Sequence, residues 1–179
     1  NFWRWTGPAG IVIADIPSGR HPEAVGKSLA WAAHRWGKDP VEAAYDLLLE
    51  ERLGVAMISM SQDEPLVERF LTLPWVCVGS DGLLGGRPHP RAFGSYPRIL
   101  GRYVREKGLL SLEEAIRKMT SQAALAFGFE DCGWVRQGLR ANLVVFDPET
   151  VADRASFEDP LQFPVGIRDV LVAGEPVVR

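Results

Sequence analysis

The chain has 179 residues, of which 46% are hydrophobic and 24% charged, a balance typical of a folded globular protein. The formal net charge is −3 and Lys and Arg form no basic stripe, so we expect no nucleic-acid partner. No apolar stretch approaches the ~20 residues that a helix needs to span a bilayer, so we expect no membrane partner either.

The first half of the chain alternates short apolar runs with segments of helical periodicity. The pattern predicts strands over 11–16, 55–60 and 75–79, and helices over 23–36, 40–53 and 63–71. Asp39 is a predicted N-cap that precedes Pro40 at the first helical position. Strands that alternate with helices in this way favour a parallel α/β architecture.

The predicted strand 75–79 leads into Ser80-Asp81-Gly82, a carboxylate between two small residues. In parallel α/β barrels the chemistry lies at the C-terminal ends of the strands. Asp81 is therefore the first candidate for a general acid or base. The pattern alone leaves a second interpretation open, because an aspartate after a strand is usually an ordinary turn or cap residue.

The second half begins with helices and ends in short strands. Helical spacing predicts helices over 96–107, 111–119 and 121–127, the second opened by a capping box from Ser111 to Glu114. Strands are predicted over 143–146, 167–173 and 176–178, with a hairpin turn at 173–175. The chain from about residue 130 onward is therefore expected to form a small antiparallel sheet.

Two cysteines bear on the cellular compartment. Cys77 lies in an apolar run and Cys132 in a turn-rich segment. Because two cysteines are too few for a disulfide scaffold, we expect reduced thiols in a cytoplasmic protein.

Several motifs in a fixed order carry a family resemblance. Ser80-Asp81-Gly82 is followed by His89-Pro90-Arg91, and then by the segments 94–106, 111–121, 138–147, 157–160 and 170–174. Over about residues 75–179 this order resembles the C-terminal part of the N-acyl-D-amino-acid deacylases (D-aminoacylases), which belong to the amidohydrolase superfamily.

The resemblance implies an α/β fold, with the last strands and helices of a TIM-like (β/α) barrel followed by part of a small β-sandwich. Residues 1–129 would belong to the barrel and 130–179 to the sandwich. It also implies hydrolysis of the amide of N-acyl-D-amino acids, which gives a carboxylate and a free D-amino acid. The expected partners are thus a small-molecule N-acyl amino acid and the remainder of the same polypeptide.

In that family the aspartate matched by Asp81 acts as general base and then as proton donor to the leaving nitrogen. The resemblance also implies a zinc cofactor, for which Asp81 is a candidate ligand while the other ligands would lie outside this chain. The three histidines fit that expectation, because His21, His34 and His89 lie on different predicted elements and show no His-x-His spacing.

Three residues near Asp81 are candidate substrate contacts. Arg91 could hold a substrate carboxylate in a bidentate contact, and His89 could lie at the mouth of the site. Gly82 leaves room for a substrate to approach closely. The alternative is that His89 and Arg91 are loop residues that tie a Gly/Pro-rich segment to the barrel.

Two other functions remain open. Another amidase of the superfamily, similar to dihydroorotase or hydantoinase, would share the terminal aspartate. A non-catalytic fragment without a metal site is a hypothesis of a different class. Farther along the chain, Arg98, Arg102 and Arg105 recur at helical spacing and are expected to form a solvated face or to pair with Glu106.

Overall fold

The computed structural model describes residues 2–178, which form a mixture of helices and short sheets. These residues group into two compact units that interleave along the chain. The first unit runs through Asp63 and includes Gly82–Ala92 and Ser156–Leu161, and the second contains Glu64–Asp81, Phe93–Ala155 and the chain from Gln162 onward. This division differs from a boundary at 129/130, so the assignment of those two ranges to a barrel and a sandwich stays a prediction.

The first unit consists of a small sheet and a pair of helices. Its elements are α1 (Phe2–Thr6), β1 (Ile11–Asp15), a 3-10 turn (Pro22–Ala24), α2 (Leu29–Trp36), α3 (Pro40–Glu50) and β2 (Ala56–Ser59). The core of this unit includes Ile13, Ala32 and Leu47. None of the helices within residues 2–178 is both long and apolar enough to cross a membrane.

The strands β1 and β2 pair in the antiparallel direction, with Ile11 opposite Ser59 and Val12 opposite Ile58. The expectation of parallel pairing was therefore wrong for these two strands. A single crossover helix would return the chain to the start of β1, as parallel pairing requires. Here two helices, α2 and α3, lie between the strands and pack against each other, so the chain re-enters the sheet from the end at which β1 finished.

The two helices of this pair are capped at their first turns as the sequence suggests. The Ser28 hydroxyl accepts from the Trp31 backbone N–H at 3.1 Å, and the Asp39 carboxylate accepts from that of Val41 at 2.8 Å. The predicted helix over 23–36 is split in the structure. Gly26 takes a φ of +81°, which interrupts the helical path between the 3-10 turn and α2.

The second unit consists of helices and a three-stranded sheet. Its elements are α4 (Glu64–Thr72), α5 (Arg91–Arg98, which starts in the first unit), a π-helix (Ile99–Glu106), α6 (Leu112–Met119), α7 (Ser121–Phe127), β3 (Leu143–Phe146), β4 (Ile167–Val172) and β5 (Glu175–Val178). The helix predicted over 96–107 thus begins earlier, at Arg91, and widens after Arg98. The wide turn is visible in the bond from the Lys107 N–H to the Arg102 carbonyl, five residues back, at 3.0 Å.

The core of the second unit lies beneath the π-helix and α6. Leu71, Ile99, Tyr103, Ala115 and Val151 are all buried in one cluster. Deep burial of such side chains is the main stabilising contribution of a small core.

The tail sheet has the strand order β3-β4-β5 and is antiparallel throughout, which confirms the predicted antiparallel tail. The turn between β4 and β5 confirms the predicted hairpin. Ala173 and Gly174 both have positive φ, +52° and +88°, the combination of a type I′ turn that matches the twist of the strands.

The predicted buried strand over 75–79 is not a strand in the described part of the chain. The Trp75 side chain is 73% exposed, and the backbone of this segment bonds to α6 instead of to a neighbouring strand. A strand needs a partner with free backbone groups, and an apolar run alone does not supply one.

Candidate functional site

The loop after Gly82 is held against the end of β1. Gly86 has a φ of +50°, and a Cβ at this position would lie 2.6 Å from the Ala14 carbonyl oxygen and from the Asp15 side chain. The next residue, Arg87, donates its backbone N–H to the same Ala14 carbonyl at 2.8 Å. Only glycine permits this close approach, so the course of the loop is fixed where it passes the strand.

This close approach leaves a small cavity of about 100 Å³ in the first unit. Strand ends and loop both contribute to its walls, which are formed by Ala14, Asp15, Ala56, Met57, Ile58, Leu83, Leu84, Gly85, Pro88, His89 and Arg91. Most of the lining is apolar, and its charged or titratable side chains are Asp15, His89 and Arg91. The lining thus combines an apolar wall with a few polar groups, as in small-molecule sites, but its volume is below the roughly 300 Å³ at which such sites begin.

His89 is held in this cavity by two contacts. Its Nδ1 accepts a hydrogen bond from the Arg91 backbone N–H at 3.0 Å, and its ring meets Phe157 edge-on with centroids 5.0 Å apart. Burial lowers the pKa of the His89 imidazole below its ordinary value, and the nearby charge of Arg91 lowers this pKa further. An Nδ1 that accepts leaves the proton of the neutral ring on Nε2.

We expect His89 to titrate at a lower pH than an exposed histidine, and Arg91→Gln to move its pKa upward because one of the two causes is removed. NMR titration of the His89 imidazole signals in the unsubstituted protein and in Arg91→Gln measures both effects. The pKa of His89 is lower in the folded state than in the unfolded chain, so the unfolded chain takes up the proton first as the pH falls. His89 therefore leaves the free energy of unfolding unchanged above the unfolded value of about 6.5, and lowers it as the pH falls from there through the folded-state pKa. A His89 pKa at or above the ordinary value of about 6.5 in the unsubstituted protein would contradict this interpretation.

Asp81, the last residue of the segment Glu64–Asp81 of the second unit, adopts an uncommon backbone conformation. Its φ is +44°, in the left-handed region that aspartate tolerates better than most residues, and its side chain is exposed. Non-glycine residues in this region are concentrated at functional sites. Gly82, which follows, is exposed as well.

The structure thus brings two of the four predicted site residues together, His89 and Arg91, in one cavity. The catalytic role of Asp81 and the substrate contacts of Gly82, His89 and Arg91 stay predictions. Their chemistry is nevertheless compatible with the predicted roles, because an exposed carboxylate can exchange a proton with a substrate and a guanidinium can bind a carboxylate.

Asp15 is a cavity residue that the sequence reasoning missed. It ends the apolar strand β1 in the same way that Asp81 follows the run 75–79. An acidic residue near the end of an apolar run is therefore a sequence pattern that both Asp15 and Asp81 show. Its carboxylate lies 3.8 Å from the position that a Cβ on Gly85 would take, so it faces the loop that forms the cavity.

A complete zinc ligand set is not found in the described residues. Within 2–178, no three His, Cys, Asp or Glu side chains are grouped closely enough to hold a metal ion. His21 is near two carboxylates, with its Nδ1 3.7 Å from Glu23 and its Nε2 3.4 Å from Glu50. A catalytic zinc site needs about three protein ligands, so these residues alone do not fit the ion.

Comparisons with known proteins converge on one family. A family profile described as "Amidohydrolase family" matches residues 18–178. The chain is 47% identical over 155 residues to an N-acyl-D-glutamate deacylase from Alcaligenes xylosoxydans xylosoxydans, and 45% identical over 157 residues to a D-aminoacylase from the same organism. These matches cover 86% and 87% of the chain but only 31% of each relative.

Solved structures give the same result. The N-acyl-D-glutamate deacylase from Bordetella bronchiseptica, complexed with zinc and a phosphonate mimic of the tetrahedral intermediate, superposes with a TM-score of 0.86 at 44% identity. The match covers 99% of this chain and 36% of that protein. A D-aminoacylase structure gives a TM-score of 0.81 at 42% identity, covering 93% and 34%. The chain therefore spans about a third of the length of the proteins it matches.

Proposed function

Because the chain belongs to the amidohydrolase family, we propose that it is part of a metal-dependent hydrolase that cleaves the amide of N-acyl-D-amino acids. The products are a carboxylate and a free D-amino acid. One observation carries the proposal: the high identity to two D-amino-acid deacylases across most of the chain. One relative is named for D-glutamate and the other for D-amino acids in general, so the proposal extends to the class of N-acyl-D-amino acids and not to one member.

We assign the chain to the last part of a TIM-like barrel, followed by part of a small β-sandwich. The antiparallel tail sheet β3-β4-β5 supports the second half of this assignment. The first half is supported by the likeness to the D-aminoacylase structures.

In the proposed reaction, Asp81 supplies the proton transfers. Its carboxylate takes a proton from the water that attacks the amide carbon, and a C–O bond forms. It then gives that proton to the amide nitrogen as the C–N bond breaks, so the acid returns to its ionised form. An exposed side chain on a constrained backbone is compatible with this cycle, because it can meet a substrate without a large rearrangement.

The cavity residues have binding roles in this proposal. Arg91 binds the carboxylate of the amino-acid part, for which a guanidinium fork is suited. His89, kept neutral by its lowered pKa, presents a polar group at the mouth without adding a positive charge. Gly82 leaves space for the reacting amide next to Asp81.

The proposed cofactor is zinc, which the Bordetella bronchiseptica relative contains. The described residues do not make a ligand set. We therefore assign the other ligands to the remainder of the same polypeptide, with Asp81 as the one candidate ligand from this segment.

The test uses the full-length polypeptide that carries this segment, with its zinc content measured by elemental analysis. We expect turnover of N-acetyl-D-glutamate or N-acetyl-D-leucine, with one acetate and one D-amino acid released per cycle. The matched controls are the L enantiomers, which we expect not to be hydrolysed. Enantiomer-resolved chromatography of the products measures both.

Two outcomes would replace the proposal. Hydrolysis of dihydroorotate or a hydantoin, with no turnover of the acyl-D-amino acids, would favour another amidase of the superfamily. A zinc-free protein that hydrolyses neither class would favour the non-catalytic alternative.

A further inference from the structure

Lys118 is the one charged side chain in the described residues that is completely buried. It lies on the core-facing side of α6, three residues after the buried Ala115. A buried ammonium group is costly unless its donors are satisfied. Here the Nζ donates to the backbone carbonyl of Val76 at 3.1 Å and, in a shorter contact, to that of Leu73, and the Glu114 carboxylate lies 3.8 Å away.

The neighbouring groups of α6 bond to the same stretch of chain. The Arg117 guanidinium donates to the Pro74 carbonyl at 3.1 Å, and the Lys118 carbonyl accepts from the Val78 N–H at 3.1 Å. Arg117 and Lys118 therefore fix the backbone of the segment 73–78 at four points. We call this pair of residues the α6 clamp.

Hydrogen bonds to the α6 clamp hold this segment where bonds to a neighbouring strand would hold a strand in a sheet. The predicted strand over 75–79 pairs with no other strand in the described residues, so its backbone position depends on bonds to α6. Asp81 follows Val78 by three residues, a reach of at most about 10 Å for an extended chain. Asp81 therefore stays within this short reach of the point at which α6 holds the backbone.

We propose that Lys118, supported by Arg117, is a positioning residue that sets the place of the Asp81 carboxylate. This inference rests on the proposed function, since it assigns Asp81 the proton transfers. Lys118 acts through the backbone of 73–78 and has no contact with substrate in this proposal. The sequence signal for it is a lysine at helical spacing within the apolar face of Leu112, Ala115, Ile116 and Met119.

The decisive variant is Lys118→Met in the full-length protein. Methionine keeps the length and much of the volume of the side chain but removes all three N–H donors. We expect kcat to fall by about 100-fold, because a displacement of about 1 Å at a reacting group has an effect of that size. We expect KM to change less than threefold, since the groups that bind the substrate are not moved.

A purely structural role would not produce this split between kcat and KM at a temperature at which the variant is fully folded. Val151→Ala is the matched control, because Val151 is as fully buried as Lys118, in the cluster that includes Ala115 of α6, but makes none of the four bonds to 73–78. We expect it to lower the melting temperature and to leave kcat within threefold. Equal kcat values for Lys118→Met and the unsubstituted enzyme would overturn the proposal, as would an equal loss in both variants.

A second measurement does not depend on activity. Hydrogen exchange over 73–81, followed by mass spectrometry of peptides, is expected to become at least tenfold faster in Lys118→Met, because the side-chain bonds to Leu73 and Val76 are lost, while exchange in β4 changes little. Unchanged exchange over 73–81 would overturn the positioning role. If instead the unsubstituted enzyme hydrolyses none of the substrates while exchange responds as expected, the proposed function fails and the clamp itself remains.

Should Lys118→Met not fold, Arg117→Met decides the question. The Arg117 side chain is partly exposed, so this variant keeps the core intact. We expect a smaller fall in kcat, about fivefold, with KM unchanged. Unchanged kcat in that variant would overturn the proposal.

Discussion

Asp81→Asn is expected to lower kcat of the full-length enzyme by about 10² to 10⁴-fold, the range typical for loss of a general acid–base group. An amide of nearly the same shape cannot take a proton from water, so the loss falls on the chemical step. Because the side chain is exposed, we expect the melting temperature and KM to change little. Steady-state kinetics with an N-acetyl-D-amino acid, together with thermal unfolding, measures these effects.

Asp131→Asn is the matched control for this variant. Asp131 is also an exposed aspartate of the second unit. It pairs with Arg140, and neither residue has a predicted catalytic role. We expect its kcat to equal that of the unsubstituted enzyme. If Asp81→Asn retained full turnover, Asp81 would have no part in proton transfer.

Gly166→Ala is expected to lower the free energy of unfolding by about 3 kcal/mol, the largest stability loss among the variants proposed. Gly166 has a φ of +76°, and a Cβ there would lie 2.5 Å from the Cα of Val151 and 2.8 Å from the Thr150 carbonyl carbon. Both of these atoms belong to the backbone, so no side chain can rotate away to relieve the contact. Chemical denaturation measures the loss.

Gly138→Ala separates the two causes of this loss. Gly138 has a φ of +90°, but nothing lies within 4 Å of the position of an added Cβ. We therefore expect only the backbone penalty, about 1 kcal/mol. Equal losses in the two variants would show that the contact with Val151 contributes nothing.

Features set by neighbouring residues were predictable from the sequence. The Asp39 cap of α3 and the Ser111 cap of α6 both form, since each depends on a side chain and a backbone N–H two or three residues away. The capping box is only half formed, because the Glu114 carboxylate binds Arg117 at 2.7 Å. The hairpin turn at 173–174 is also local.

Features that depend on distant partners were not predictable in the same way. The direction of pairing between β1 and β2 depends on how α2 and α3 fold back, and the run 75–79 bonds to α6 instead of to a strand. An apolar run identifies neither the burial of each residue nor its backbone partner, so the strand prediction failed at this step.

The arginines of the π-helix region illustrate the same limit. Arg98 binds Asp153 at 2.9 Å and Arg102 binds Glu64 at 2.9 Å, in place of the expected solvated face. Arg105 has a contact with Glu106 at 4.0 Å, and it also donates to the Val151 carbonyl at 2.7 Å. Partners such as Asp153 lie more than 50 residues away, and helical spacing contains no information about them.

For the candidate site, the sequence gives the residue types but not their grouping. The resemblance singled out Asp81, His89 and Arg91, while Asp15 became visible only as part of the cavity wall. Lys118 had a signal in the sequence, a charge within an apolar helix face, but its partners at Leu73 and Val76 could be named only from coordinates.

The interleaving of the two units limits how this segment could be cut or recombined. The chain changes from one unit to the other after Asp63, Asp81, Ala92, Ala155 and Leu161. A contiguous piece holds the first unit only if it extends to Leu161, and the second only if it begins no later than Glu64, so every break within the segment divides at least one unit. Truncation libraries and gene fusions that break within it should therefore yield insoluble products, and exchange between homologues should succeed only when the segment is transferred as one block.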